Sequence, residues 1–186
     1  MRQITIKISA VLLVIVSFCG CDTVNMLNCK FERKNIDNFH FAKVNFDKFN
    51  SFSDITISDG FEITKALLNG TAPIAFNVNV EGKNPNKSVA AIEQMDWIVL
   101  IDDAKFTGSI NEKYSIPADG TSILPLKIGF DAMQVLDGST PQSMFRLYQN
   151  ITGKGGEQSS DVTIMIRPTI LGIQFPNYIT LNQTIN

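Results

Sequence analysis

Apolar and polar residues alternate along most of this chain with a period of two. Ile74, Phe76, Val78 and Val80 line one side of a segment whose other side carries Ala75, Asn77, Asn79 and Glu81, the pattern of a half-buried strand. Leu124, Leu126, Ile128 and Phe130 repeat it, as do Val162, Ile164 and Ile166. Phe39 and Phe41 alternate, then Val44 and Phe46 continue one step out of phase, which predicts a bulge at Ala42-Lys43. Met95 to Ile101 is a nearly continuous apolar run around Trp97, expected of a central strand covered on both faces. Asn84-Pro85-Asn86, Asp102-Asp103, Pro117-Ala118-Asp119-Gly120 and Gly153 to Gly156 supply turn chemistry between these runs. Short strands at regular spacing with such turns predict a mainly β chain folded as an antiparallel β-sandwich.

Two stretches depart from that period. Ser58 to Asn69 predicts one short helix before the Asn-Pro-Asn strand, capped by Ser58 or Asp59 and stopped by Asn69-Gly70, with Phe61, Lys65 and Leu68 on one face and Ile63 and Leu67 nearby. A broken helical insertion follows near residues 131–152, interrupted at Asp137 to Pro141. Thr140 as N-cap with Pro141 in the first helical position restarts it, and Met144, Leu147, Tyr148 and Ile151 form the stripe expected to pack on a sheet.

The amino end has the form of an export leader. Arg2 and Lys7 precede an apolar run from Ile8 to Phe18, which ends at Cys19-Gly20-Cys21 and is shorter than the roughly 20 residues needed to cross a bilayer. A small residue before a cysteine, without a small-x-small cleavage pattern, predicts a lipoprotein signal over residues 1–20 and acylation of Cys21, with palmitate-type chains as the anchor. A plain secretory leader is the alternative, and Cys19 is the weaker acceptor because bulky Phe18 precedes it. Residues 21–28 then form a tether, reaching about 25 Å beyond the lipid even if fully extended, and 29–186 form one domain. The expected location is a bacterial cell envelope, on a membrane and more often facing the periplasm than the outside.

The chain carries 16 basic and 18 acidic residues for a net charge of −2, and loss of the leader takes two of the bases with it. That balance argues against nucleic acid or an anionic lipid surface as a partner, since both call for clustered Lys and Arg. Lys30, Arg33 and Lys34, interrupted by Glu32, read as a solvated strand face. With Cys21 acylated and Cys19 removed, Cys29 has no disulfide partner, and at the head of an alternating segment it reads as a small buried hydrophobe. A pairing with the single histidine, His40, would need an orienting group and an oxyanion site that no motif supplies. No catalytic residue, metal ligand or cofactor is therefore assigned, Asp102-Asp103 reading as a solvated turn. Asn-x-Ser/Thr triplets at Asn69, Asn86, Asn150 and Asn182 are expected by chance in so asparagine-rich a chain.

The alternating strand Ile74 to Val80 runs into Glu81-Gly82-Lys83-Asn84-Pro85-Asn86; then come Met95-Asp96-Trp97-Ile98-Val99-Leu100, a glycine hairpin from Asp102 to Gly108, and Pro117-Ala118-Asp119-Gly120-Thr121 before a Leu-rich strand. In this order the four elements resemble the late embryogenesis abundant group 2 family, also called the water-stress and hypersensitive-response domain. Cys29-Lys30-Phe31, Arg167-Pro168 and Pro176-Asn177-Tyr178-Ile179 resemble the ends of its bacterial lipoprotein branch. The resemblance implies an immunoglobulin-like or fibronectin III-like sandwich with a helix inserted. It also implies a lipid-anchored, non-catalytic envelope protein that serves stress protection or envelope maintenance by surface contact. The alternative is an accessory binding subunit of an envelope assembly or transporter, which predicts an exposed apolar patch or a long bare edge strand. Asn84, Pro85, Asn86, Pro117 and Gly120 are the structural motif residues, Pro85 fixing φ while the asparagines bond to local backbone. A recognition role for exposed asparagines is the other reading of that turn.

Overall fold

The computed structural model describes residues 28–136, 138–154, 161–170 and 172–181. The leader, Cys21, nearly all of the tether, Asp137, Gly155-Gly156 and Asn182 lie outside the described residues. Among the described residues, ten strands and two α-helices follow in order: β1 Lys30–Phe41, β2 Val44–Asn45, α1 Ile57–Leu68, β3 Pro73–Asn84, β4 Ala90–Ile101, β5 Ala104–Ile110, β6 Tyr114–Ile116, β7 Gly120–Asp131, α2 Pro141–Thr152, β8 Val162–Ile170, β9 Ile173–Gln174 and β10 Ile179–Thr180. One sheet has the order β2-β1-β3-β7 and the other β10-β8-β4-β5, with β6 on β4 and β9 on β8; every pairing is antiparallel. The expected sandwich is thus present, and β1-β3-β7 facing β10-β8-β4-β5 is the strand order of an immunoglobulin-type fold.

Alternation decides what lies between the sheets. Phe76, Val78 and Val80 on β3 and Leu124, Leu126 and Ile128 on β7 are buried, as are Met95, Trp97 and Val99 on β4 and Ile164 and Ile166 on β8. At the end of the sandwich reached by Phe41, an aromatic cluster takes over: Phe39 stacks on Phe76 at 5.5 Å and meets the Tyr148 ring of α2 edge-on at 5.2 Å. No helix among the described residues is long and apolar enough to cross a membrane.

Four local expectations are corrected. The phase change between Phe41 and Val44 is a tight turn, not a bulge: Ala42 takes φ +49° and β1 folds straight back onto β2. The irregularities of β1 fall instead between Arg33 and Asn35 and between Asp37 and His40. β4 is central in its sheet, yet only one of its faces meets the core; Ile98 is buried outside the core cluster, while Asp96 and Leu100 remain half-buried. The cap of α1 is Thr56, not Ser58 or Asp59: its hydroxyl accepts the Asp59 N–H, and the helix buries Ile63 and Leu67. The first half of the 131–152 insertion holds the end of β7 and a single 3-10 turn, Met133–Val135; helix begins only at Pro141.

α2 does restart as its sequence requires. Thr140 caps it by accepting the Ser143 N–H, Pro141 stands in the first turn, and Gly153 closes it at φ +75°. Met144, Leu147, Tyr148 and Ile151 are buried, with Phe145 and Ser143.

Candidate functional site

The end of the sandwich at which β1 begins gathers nearly all the motif residues. Asn84 closes β3 opposite Gly120, the first residue of β7, and its side chain is only 2% exposed. Its Oδ1 accepts the Asn86 N–H at 3.0 Å and the Asn86 side-chain amide at 2.8 Å, and the Cys29 thiol donates to it at 3.7 Å. Its Nδ2 donates to the carbonyls of Ser88 (2.8 Å), Ile116 (3.2 Å) and Pro117 (3.1 Å). Only one orientation of the amide satisfies both sets, since a flip would set nitrogen against N–H groups and oxygen against three carbonyls.

This side chain therefore ties the Asn-Pro-Asn turn to the Pro-Ala-Asp-Gly turn, more than thirty residues further on. The Asp119 N–H donates to Asn86 O at 2.9 Å, and Asp119 takes φ +48°. Gly120 packs on the Pro117 ring so closely that a Cβ there would stand 2.6 Å from Pro117 Cγ. Cys29 lies under the same turn, its sulfur 3.9 Å from Asn86 Nδ2, and burial pushes its thiol pKa up, away from the reactive thiolate.

The surface above this clamp mixes lysines with carboxylates, Glu81 pairing with Lys34 and with Lys83 at 3.1 Å each. Lys30 faces Lys83 directly across the β1–β3 pairing. They border a cavity of about 390 Å³ whose other walls include Pro85, Asp119 and Thr121. Lys87 pairs with Asp119 at 2.7 Å. A second groove of about 520 Å³ separates the start of β1 from the Phe175 to Ile179 segment, with Phe31 and Tyr178 among its walls.

Other sequence-noted groups stay apart. His40 is near the far end of β1, its Nδ1 2.9 Å from Asn38 O. The cavity at Asp102 and Asp103 is bounded by Ala104, Gln134 and Val135 and does not include His40. Asp102 receives the Asp161 N–H at 3.0 Å, closing the loop before β8 onto the β4–β5 turn. Among the described residues, no group of three or more His, Cys, Asp or Glu side chains is placed to hold a metal ion.

Two features escaped the sequence. On the outer face of the β4–β8 sheet, Asp96 accepts from Ser109 (2.7 Å), Gln174 (2.7 Å), Gln94 (3.3 Å) and Arg167 (3.1 Å), and the Arg167 guanidinium stacks 4.6 Å from the Tyr178 ring centre. Burial alone would raise the Asp96 carboxyl, but the bonds from Ser109, Arg167 and Gln94 and the charge of Arg167 outweigh it and hold the pKa below the ordinary range. The available signal was a carboxylate inside the apolar run Met95 to Ile101. The second feature is the outer face of α1, where Ile57, Phe61 and Leu68 are 96%, 66% and 82% exposed. At about 100° per residue they fall within about 40° of one another.

No family model matches the chain, and no curated protein matches it. Among solved structures, it is similar to a solution structure described as a candidate late embryogenesis abundant protein, with 15% identity and a TM-score of 0.39 over 97% of this chain and 86% of that one. It is also similar to a crystal structure of a protein from Archaeoglobus fulgidus, with 8% identity and a TM-score of 0.37 over 84% of this chain and 100% of that one.

Proposed function

We propose that this chain is a lipid-anchored, non-catalytic protein of a bacterial cell envelope with a domain of the late embryogenesis abundant group 2 type, held to the membrane through acylated Cys21. Its role is stress protection or envelope maintenance through surface contact. The observation that carries the domain reading is the Asn84 clamp. The two turns that make the sequence resemble that family, Asn84-Pro85-Asn86 and Pro117 to Gly120, meet in space through one buried amide. A side chain whose donors and acceptor are all engaged by the fold itself serves architecture. The leader ending in Gly20-Cys21 supports the anchor.

Mass analysis of the amino-terminal peptide from expressing bacteria tests the anchor: a diacylglyceryl and acyl adduct on Cys21, absent in Cys21→Ser, is expected. A mature chain that begins elsewhere, without lipid, overturns it. For the role, a deletion strain is expected to lose viability on drying or osmotic shock and to recover with the wild-type gene; unchanged survival would remove that part of the proposal.

The accessory-subunit reading is favoured by a separate observation, the exposed Ile57, Phe61 and Leu68 stripe on α1. The edges give it less support. β7 carries Pro125 and Lys127 on its outer positions, and β1 is interrupted by two register shifts, both devices that discourage strand addition. Crosslinking from native membranes decides between the two: a stoichiometric partner captured through α1 would favour the subunit.

A further inference from the structure

We propose that the outer face of α1 is a self-association surface, on which a second copy of this chain lays its own α1 antiparallel across a two-fold axis. Neither copy needs lipid on Cys21 for this.

Among the described residues seven large apolar side chains are exposed, and four of them, Phe52, Ile57, Phe61 and Leu68, belong to α1 and the turn that leads into it. Thr64, also exposed, shares the face of Ile57, Phe61 and Leu68, so that the four span about 60° of the helix circumference. The fold itself uses the other side of the helix. Ile63 and Leu67 turn to the core, and Asp59 is drawn to Lys48 at 2.9 Å.

What marks the exposed face for a copy of itself is its order. Ile57 and Leu68, and likewise Phe61 and Thr64, are placed symmetrically about the point midway between Glu62 and Ile63. In an antiparallel pair centred there, Ile57 meets the partner's Leu68, and the Phe61 ring lies level with the partner's Thr64, a large side chain against a small one. A parallel pair sets Phe61 on Phe61 and Thr64 on Thr64, one contact crowded and the other empty, with the two helix dipoles aligned.

The flank agrees with the stripe. A two-fold of this kind brings like flanks of the two helices together, and Lys65, exposed about 40° around the helix from Phe61, comes level with the partner's Phe61 to within one residue. Its ammonium gains an aromatic face that one chain does not give it: Lys48, Lys154 and Arg167 make the cation–aromatic contacts among the described residues. No carboxylate stands in the stripe, so closing the face strands no acid. A bilayer would take the same apolar tips, but it makes no use of their mirrored order. One pair of twelve-residue helices covers less than the ~800 Å² per partner of a standard interface, so the dimer is weak and is read by trapping it.

The test keeps the full chain in bacteria that express two differently tagged copies, one with Ile57→Cys and the other with Leu68→Cys. Mild oxidation is followed by mass analysis of the linked peptides. Antiparallel packing sets 57 against 68 and keeps 57 from 57, and 68 from 68, about 16 Å apart along the helix. The mixed 57–68 disulfide is expected at about five times the yield of either like pair or more, since thiols that far apart do not bridge. Phe61→Glu in both copies is expected to lower that yield about tenfold at unchanged circular dichroism, by placing a charge at the centre of the contact. Equal yields for the three pairings, an excess of like pairs, no linkage, or a mixed disulfide indifferent to Phe61→Glu overturns the proposal. A different protein linked through 57 or 68 in place of the copy also overturns it and gives the face to the accessory-subunit reading. Absence of lipid on Cys21 bears on the anchor alone, because the pattern of disulfides is read without it.

Discussion

Gly108 lies directly opposite Trp97 in the β4–β5 pairing, and a Cβ at position 108 would stand 2.4 Å from the Cζ2 of the indole. The ring of Trp97 is only 4% exposed and occupies the space that a side chain at 108 would need, while its other neighbour is Phe130 at 6.2 Å. Phe130 in turn stacks on Phe106 at 4.0 Å, so the indole has little room to retreat. Gly108→Ala is expected to cost about 1–3 kcal/mol as an overpacking change, with a shift in tryptophan emission. Denaturant unfolding checks it; a midpoint equal to wild type would mean the indole is free to move.

The Asn84 clamp predicts a larger asymmetry between neighbours in one turn. Asn84→Ala removes the donors of the Ser88, Ile116 and Pro117 carbonyls and the acceptor of the Asn86 N–H in a buried place. A loss of about 2–4 kcal/mol is expected, from one to three for each buried group left unmade with partial relief by water. Pro85, exposed at the tip of the same turn, is expected to tolerate Ala at a cost under about 1 kcal/mol. Thermal unfolding of both variants compares them; similar losses would contradict the division of labour.

For α1, burial separates two apolar sets. Ile63→Ala is expected to lose about 2–4 kcal/mol as a cavity in the core, whereas Phe61→Ser should stay within about 0.5 kcal/mol. A large loss from Phe61→Ser in the isolated chain would show that its face packs on something the fold supplies.

Those two faces also show where the sequence was legible. Period-two patterning located β3, β7 and β8 because each buries one face, and Thr140-Pro141 located α2 because a cap and a proline act locally. The Asn-Pro-Asn turn was visible as a turn, but its bonds to Ile116 and Pro117 were not, since they join segments more than thirty residues apart. On α1, the spacing grouped Phe61 with Lys65 and Leu68 and set Ile63 and Leu67 nearby, without marking which set turns inward. Which apolar face turns inward is set by packing against β2 and α2, neither of which is written in the helix's own period. The phase change at Ala42-Lys43 failed for a related reason: a bulge and a two-residue turn leave the same gap in alternation.

Asp96 predicts a pH dependence whose sign is fixed by its partners. Its carboxyl is held below the ordinary range by Ser109, Arg167 and Gln94 against the opposing effect of burial, so the folded state binds its proton less readily than the unfolded chain. A carboxyl of that kind contributes stability above its unfolded pKa, about 3.9, and loses it as pH falls through that value toward the folded one. Asp96→Asn should therefore lower the urea midpoint at pH 6 and make progressively less difference toward pH 3. Exposed carboxylates such as Glu112, held low chiefly by Lys127, titrate in a neighbouring window, but 0.5 M salt screens that charge partner. The Asp96 contribution, drawn mainly from hydrogen bonds at a largely covered site, should persist in that salt. Urea titrations of both proteins at pH 3, 4, 5 and 6 in high salt give the difference directly; a gap that stays constant across the series would place the network's contribution in packing and not in the charge of Asp96.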